Sequence, residues 1–348
     1  MLNYIKPNDR GLFDTQDRLE ELHPMGDPLQ RLDDVIDWSV FEPVMAQLPK
    51  PEPKGPGGRP GYLPLMMFKL LVISHLYNLS DAQMEFQITD RHSFKRFLGL
   101  SEADWAPDEK TIWAFREQLS RHGLMDQAFA AFHAALEQGG LFARQGQIID
   151  ATFVEVPRQH NSRVENAAIK DGQQPEGWAD QPAKARQKDV DARWTKKREE
   201  RHYGYKNHVK IDSKSKLIDR FKSSDAAVHD SHPLEDLLTE GDPETYVDSA
   251  YTGPRCQELF ARKGIAAKVI ERPYRNRPLT AKQKRSNRAK SRVRVRVEHV
   301  FATMRMSMRA TWNRCIGRTR NGSAIAMMNL VYNMVRFEQI ERLELRTW

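Results

Sequence analysis

The chain has 348 residues, of which 39% are hydrophobic and 29% charged, enough for two or three domains that each bury a core. Its formal net charge of +8 points to a polyanionic partner, either nucleic acid or an anionic membrane surface. The longest apolar run, Tyr62 to Tyr77, holds Pro64, Lys69 and His75 and is too short and too polar to span a bilayer.

No signal peptide is expected ahead of that run, since Lys6, Asp9, Arg10 and Asp14 leave no apolar core for one. Two cysteines, Cys256 and Cys315, exclude a disulfide scaffold or a cysteine zinc site, and a reducing cytoplasm is the expected setting. In chain order, residues 1–26 lack sustained periodicity and read as an irregular arm. Over 27–48, Leu29, Leu32, Val35, Ile36, Phe41, Val44, Met45 and Leu48 recur at helical spacing, with a break near Pro43. The prolines and glycines of 49–61 sustain neither helix nor strand and mark a linker.

Beyond the linker, 62–144 reads as an all-α region. A buried helix over 63–79 is followed by one that the Ser80/Gln83 capping box opens, and then by a short helix over 92–98. Asp108 caps the next, which carries Ile112, Trp113, Phe115 and Leu119, and Gly139 and Gly140 end a last one over 124–136. Such short amphipathic helices suit a helix-turn-helix that presents 111–119 to DNA, and they suit a dimerisation bundle equally.

The pattern turns to α/β over 145–348. Residues 147–156 have the apolar, β-branched look of a buried strand, interrupted by Asp150, a carboxylate that is costly there unless something pairs with it. Residues 158–200 are polar and weakly periodic, a surface insertion expected to be partly disordered, with Trp178 and Trp194 as its candidate anchors. Tyr203 to Asp212 alternates as a strand with one basic face and forms a hairpin with 216–224. A helix over 232–240, a short strand over 244–247 running into Asp248, a helix from Pro254 and a strand over 266–270 complete this part. His229 and His232 lack a third ligand of zinc spacing and read as a turn and helix cap.

Residues 272–297 hold no acidic residue, while Arg288, Lys290, Arg292 and Arg294 stand among many other cations, a composition that suits polyanion contact. From 292 to 308, Val293, Val297, Val300, Phe301, Met304 and Met308 fall on one helical stripe, with Arg294, Glu298 and Arg305 on the stripe beside it. The last helix, with Ile325, Met328, Leu330, Val331 and Met334, reads as a layer covering the sheet. Tyr251 and Trp312 read as core aromatics.

Three carboxylates stand out by their settings: Asp150 within a strand, Asp248 at a strand's C-terminal end, and Glu298 on a core-edge helix. Hard oxygen ligands from separate elements, with cations nearby, suit a pair of magnesium ions that bind a phosphodiester. The element order is the one expected of a ribonuclease H-like mixed-sheet catalytic core, here preceded by an all-α N-terminal domain.

With Ile149-Asp150-Ala151-Thr152, Tyr203-Gly204-Tyr205-Lys206-Asn207-His208, Asp248-Ser249-Ala250-Tyr251-Thr252-Gly253, Arg294 one turn before Glu298, and the helical half from Gly58 to Leu119, the chain resembles the Asp-Asp-Glu transposases of bacterial insertion sequences. Within them it is similar to the insertion-sequence-five-like group. Each segment alone is weak, and their order and context are specific. The sequence departs from the group's pattern at Ser291, where a tyrosine is usual, and at Arg305, where a lysine is usual. The resemblance implies that Asp150 bridges two Mg²⁺ ions, with Mn²⁺ able to substitute, and that Asp248 and Glu298 complete one shell each. It implies binding of terminal inverted repeats and target DNA by a homo-oligomer, at least a dimer, in the nucleoid of a bacterial cytoplasm. Strand cleavage and strand transfer would then follow by in-line phosphodiester transesterification. Lys206 and His208 are expected DNA-backbone contacts, a plainly hydrogen-bonded histidine being the alternative at 208, and Arg288, Lys290, Arg292, Arg294 and Arg305 are expected to contact DNA. Two other readings remain open: a catalytically silent DNA-binding derivative, and a nuclease of the same fold without strand transfer.

Overall fold

The structure, a computed structural model, describes residues 14–22, 24–49, 61–197, 199–275, 277–346 and 348. The first half of the expected arm, 1–13, and the body of the linker, 50–60, lie outside the described residues. Helices α1 (Asp14–Leu22), α2 (Pro28–Val35) and α3 (Glu42–Met45) precede the linker, so α1 falls where an irregular arm is expected. Beyond it come α4 (Pro64–Tyr77), α5 (Asp81–Asp90), α6 (His92–Leu98), α7 (Glu109–Arg121) and α8 (Leu124–Gln138). Their limits follow from local chemistry. Asp27 and Asp108 accept from the amides of Leu29 and Thr111, Ser80 and Gln83 close a reciprocal capping box, and Asn78 and Gly99 end α4 and α6 in left-handed conformations.

The α/β half runs β1 (Gln147–Glu155), α9 (Arg163–Lys170), α10 (Pro182–Arg186), β2 (Arg193–Lys197), β3 (Glu200–Asp212), β4 (Ile218–Asp225), α11 (Leu234–Leu237), β5 (Thr245–Val247), α12 (Pro254–Arg262), β6 (Ala267–Val269), α13 (Ala281–Ala302) and α14 (Arg318–Arg342). The strands form one mixed sheet in the order β2-β3-β1-β5-β6, with β4 also on β3. β1 runs antiparallel to β3 and parallel to β5, and β5 is parallel to β6. β3 passes close to β1 at Gly204, whose φ of +143° and position leave no room for a side chain: a Cβ there would stand 2.4 Å from the Val154 carbonyl oxygen.

The insertion is ordered where disorder is expected. Ser162 and Glu165 cap α9, Trp178 is buried and donates its Nε1–H to Glu165, and β2 adds to the sheet alongside β3. Asp189 holds its far end, accepting from the Tyr205 hydroxyl and from the amides of Ala192 and Gly317. These few polar contacts replace the apolar periodicity that the segment lacks.

α14 does more than cover the sheet. It packs against β4 and also against α2, α4, α7 and α8, and one apolar cluster runs continuously from Leu29 through the sheet to Ile340. A helix buried on several sides must satisfy its polar residues inside. Asn329 and Asn207 exchange side-chain hydrogen bonds, and Asn333 binds both the N–H and the C=O of Ile218 at the start of β4. No helix among the described residues is long and apolar enough to cross a membrane.

The basic block is helical well before 292. Thr280 and Gln283 form a capping box that starts α13, which continues to Ala302 and widens into a π-helical turn over Thr303–Ser307. The apolar stripe lies as the periodicity predicts, with Val297, Val300, Met304 and Met308 fully buried and Phe301 nearly so.

Candidate active site

The site builds on the centre of β1. Asp150 pairs in register with Val209, so it shares a sheet face with Asn207 and Val209 and looks toward α13 and α14. The parallel register between β1 and β5, with Ile148 beside Tyr246, carries Asp248 to the level of Asp150 two residues further on. α13 brings Arg294 and Glu298, one turn apart, over the same region.

Only 15% of the Asp150 side chain is exposed. Its Oδ1 accepts from the Ala151 amide at 2.8 Å, and its Oδ2 accepts from Arg294 Nη2 at 2.5 Å. Burial pushes the carboxyl up to about 6; Arg294 and the Ala151 amide pull it back, and Asp248 and Glu298 push it further. Asp248 and Glu298 therefore both stand near enough to act on the buried Asp150, although the three come from separate elements.

Asp248 caps the 3₁₀ turn over Ser249–Tyr251 by accepting from the Ala250 amide, and its other oxygen has no partner among the described residues. Glu298 is exposed and makes no hydrogen bond or ion pair among the described residues. Two further polar atoms at the site are buried without partners: the Tyr251 hydroxyl and Arg294 Nε. Tyr251 belongs to the apolar cluster with Ile149 and Val247, as its core reading has it. Its hydroxyl nevertheless sits in the field of the site: burial, then Asp230, Asp150 and Asp248, raise it well above the ordinary tyrosine range. The signal for it was its place three residues after Asp248, in the turn that the same carboxylate caps.

Three carboxylates with unused lone pairs, beside an orphaned hydroxyl, are hard oxygen donors of the kind a divalent cation takes. As the side chains stand, no three His, Cys, Asp or Glu among the described residues are grouped closely enough to hold one metal ion together. Arg294 supplies the positive charge that Asp150 pairs with here.

The expected DNA contacts divide into three groups. Arg288, Arg292 and Arg305 are exposed and have no partner among the described residues. Lys290 is half-buried and donates to the Val269 carbonyl at 2.7 Å, and Arg294 is committed to Asp150. Lys206 and His208 do not reach the surface. Register parity puts them on the sheet face opposite Asp150, and neighbouring elements cover that face. Lys206 donates to Val228 O and Asp230, while His208 is wholly buried with Nε2 against Ser224 Oγ at 2.8 Å. Burial pushes His208 down to about 4, so it is neutral near pH 7 and offers a phosphate no charge. The alternative of a plainly hydrogen-bonded histidine describes it.

Two family models match the chain. One, described as Transposase DDE domain, covers residues 141–334 and so includes Asp150, Asp248 and Glu298; the other, described as Transposase domain (DUF772), covers residues 17–118. They carry the family and not a subgroup within it. No solved structure matches.

Proposed function

We propose, from the premise that the chain belongs to the transposase DDE-domain family, that it binds the terminal inverted repeats of an insertion sequence and cuts and rejoins DNA at the Asp150 site. The observation that carries this reading is the convergence of Asp150 on β1, Asp248 at the end of the neighbouring β5 and Glu298 on α13 within a ribonuclease H-like α/β core, beside a helix whose solvent face is cationic.

Asp150, Asp248 and Glu298 would hold divalent metal, Mg²⁺ or in its place Mn²⁺. Bound there, it would supply Lewis-acid stabilisation of phosphoryl charge and an activated oxygen nucleophile. The chain's own residues do the rest. Above about pH 6 Asp150 is a carboxylate, and Asp248 is pre-oriented by the Ala250 amide. Arg288, Arg292 and Arg305 supply unpaired charge for backbone phosphates, and Arg294, with a free Nε, can pass from Asp150 to a phosphodiester oxygen. In the transfer itself one P–O bond breaks as another forms, so a freed 3′ hydroxyl can replace water as the attacking group at target DNA. The chain would work as a homo-oligomer, at least a dimer, on its DNA in a bacterial nucleoid.

One observation favours a second reading. Arg294 already neutralises Asp150, an arrangement that a non-cutting DNA-binding derivative could keep permanently. Incubating the full chain with a pre-cleaved repeat end, target DNA and Mg²⁺ separates the possibilities. Joined products lost in Asp150→Ala support the transposase, cut products without joining indicate a nuclease of the same fold, and binding without either indicates the silent derivative.

A further inference from the structure

A second cationic site lies about a quarter-turn round α13 from Glu298, on the side that carries His299 and Thr303. There the end of α13, the π-helical turn, the β3–β4 hairpin and α14 line an open cavity of about 330 Å³. Its polar lining includes Lys216, His299, Ser307, Tyr332, Arg336 and Gln339, and no carboxylate lines it.

The charges here are unopposed. Lys216 Nζ has no hydrogen bond or ion pair among the described residues. Arg336 donates through Nε to Ser215 O and through Nη1 to Gln339, which leaves its Nη2 unengaged among the described residues. Arg296 stands close enough to act on Lys216 and donates only to the Ser213 carbonyl. The nearby Asp212 is turned into the hairpin, where the amides of Arg144, Lys214 and Ser215 occupy it. Burial and the neighbouring Arg336 and Arg296 hold the Lys216 ammonium below its ordinary range, as expected where cations gather without a counter-charge.

The backbone of Lys216 is a separate sign. Its φ of +62° is left-handed, a conformation that glycine or asparagine would adopt more readily. It is held there by its own amide donating to Asp212 O and by the buried Tyr332 hydroxyl donating to its carbonyl at 3.0 Å. A strained lysine, locked from both sides and lining a cavity that has no carboxylate of its own, suits a ligand-binding role.

We propose that this cavity takes a backbone phosphate of the bound DNA, held by Lys216 and Arg336 and lipped by Ser307, at a point separate from the phosphodiester that reacts. The assignment rests on the transposase reading for the identity of the anion. It adds a site that turns the DNA path round α13 instead of along one face.

The test is fluorescence anisotropy of the full chain on duplex DNA over a salt series, with Lys216→Asn, Lys216→Arg and Ser307→Glu. Asparagine tolerates the left-handed backbone, and Ser307 is exposed, so these changes spare the core. Lys216→Asn and Ser307→Glu are each expected to flatten the slope of log K against log salt by about 0.9, one phosphate's worth, and to weaken binding roughly eightfold at 0.1 M salt. Lys216→Arg should keep the slope. Wild-type binding with an unchanged slope in both charge-altering variants would overturn the pocket alone, whereas a wild-type chain that binds no duplex would overturn the proposed function and the pocket with it. A third outcome also rejects the DNA assignment: stabilisation by inorganic phosphate at fixed ionic strength, abolished in Lys216→Asn, with no change in slope, would give the cavity to free phosphate.

Discussion

Asp150→Asn should make the metal-free protein more stable at neutral pH, opposite to the usual effect of altering a buried hydrogen-bonded residue. In the folded chain the carboxyl is pushed up to about 6, against 3.8 ordinarily. The folded state therefore binds the proton more tightly than the unfolded state. The favourable contribution is complete below about pH 4 and is lost as pH rises through about 6. A difference of roughly two units amounts to about 3 kcal/mol at pH 7 and above. Asparagine resembles the protonated acid in shape and charge, so the variant keeps what the wild type loses. For a chain of 348 residues this is a rise of roughly 4 °C in melting temperature. The assay is thermal unfolding with a chelator present, at about pH 7.5 and about pH 4. The gap between variant and wild type should be wide at the first and nearly closed at the second. Added Mg²⁺ should then raise the melting temperature of the wild type more than that of the variant, because ligand binding to the folded state adds stability. A variant that melts below the wild type at pH 7.5 in chelator would refute the claim that Asp150 carries an unfavourable charge.

His208→Asn tests the inward placement of that histidine. Native His208 is held near 4 and an unfolded histidine titrates near 6.5, so wild-type stability is present above 6.5 and falls by about 3 kcal/mol toward pH 4. Urea midpoints of the variant should show that much less acid sensitivity, and an equal decline in both proteins would count against it. Gly204→Ala should destabilise by roughly 3 kcal/mol, since its Cβ would meet the Val154 carbonyl in a backbone conformation that alanine resists; chemical denaturation reads this directly, and a neutral result would refute the close approach of β3 to β1. Glu298→Gln, at an exposed and unpartnered position, should leave the melting temperature within about 1 °C while reducing Mg²⁺-dependent cleavage about 100-fold or more. A large stability change, or unimpaired cleavage, would remove Glu298 from the site.

Much of this architecture could be read from residue pattern, and the parts that could not share a cause. The apolar stripe of α13, the capping box at Ser80 and the buried strand interrupted by Asp150 are local signals, written within a few residues of where they act. The Thr280 box was legible too, but the dense basic composition after it masked the helix. Strand register is not local. Whether Lys206 or Val209 faces Asp150 depends on a pairing between segments more than 50 residues apart, and a shift by one residue would exchange the two faces. The ordered insertion and the wide packing of α14 are likewise set by partners remote in sequence: Asp189 with Tyr205 and Gly317, and Asn333 with Ile218.

α13 limits how the site can change state. Its inner stripe, Val297 and Val300, with Met304 in the π-helical turn that follows, is fully buried in the cluster shared by the sheet, α14 and the N-terminal helices. Rotating or sliding the helix would pull those side chains out of a close-packed core, which forfeits several kcal/mol per buried residue. The Arg294–Asp150 pair is held by one side-chain hydrogen bond at the edge of that core, and Arg294 has a long, rotatable side chain. Under the proposed function, exchange of the arginine for a metal ion at Asp150 would need only side-chain rotation over a fixed helix. Glu298, one turn along and without a hydrogen-bond or ion-pair partner among the described residues, would have no bond to give up in that exchange. The same rigidity would hold the carboxylate face and the Lys216 cavity at a fixed angle to any DNA that met both.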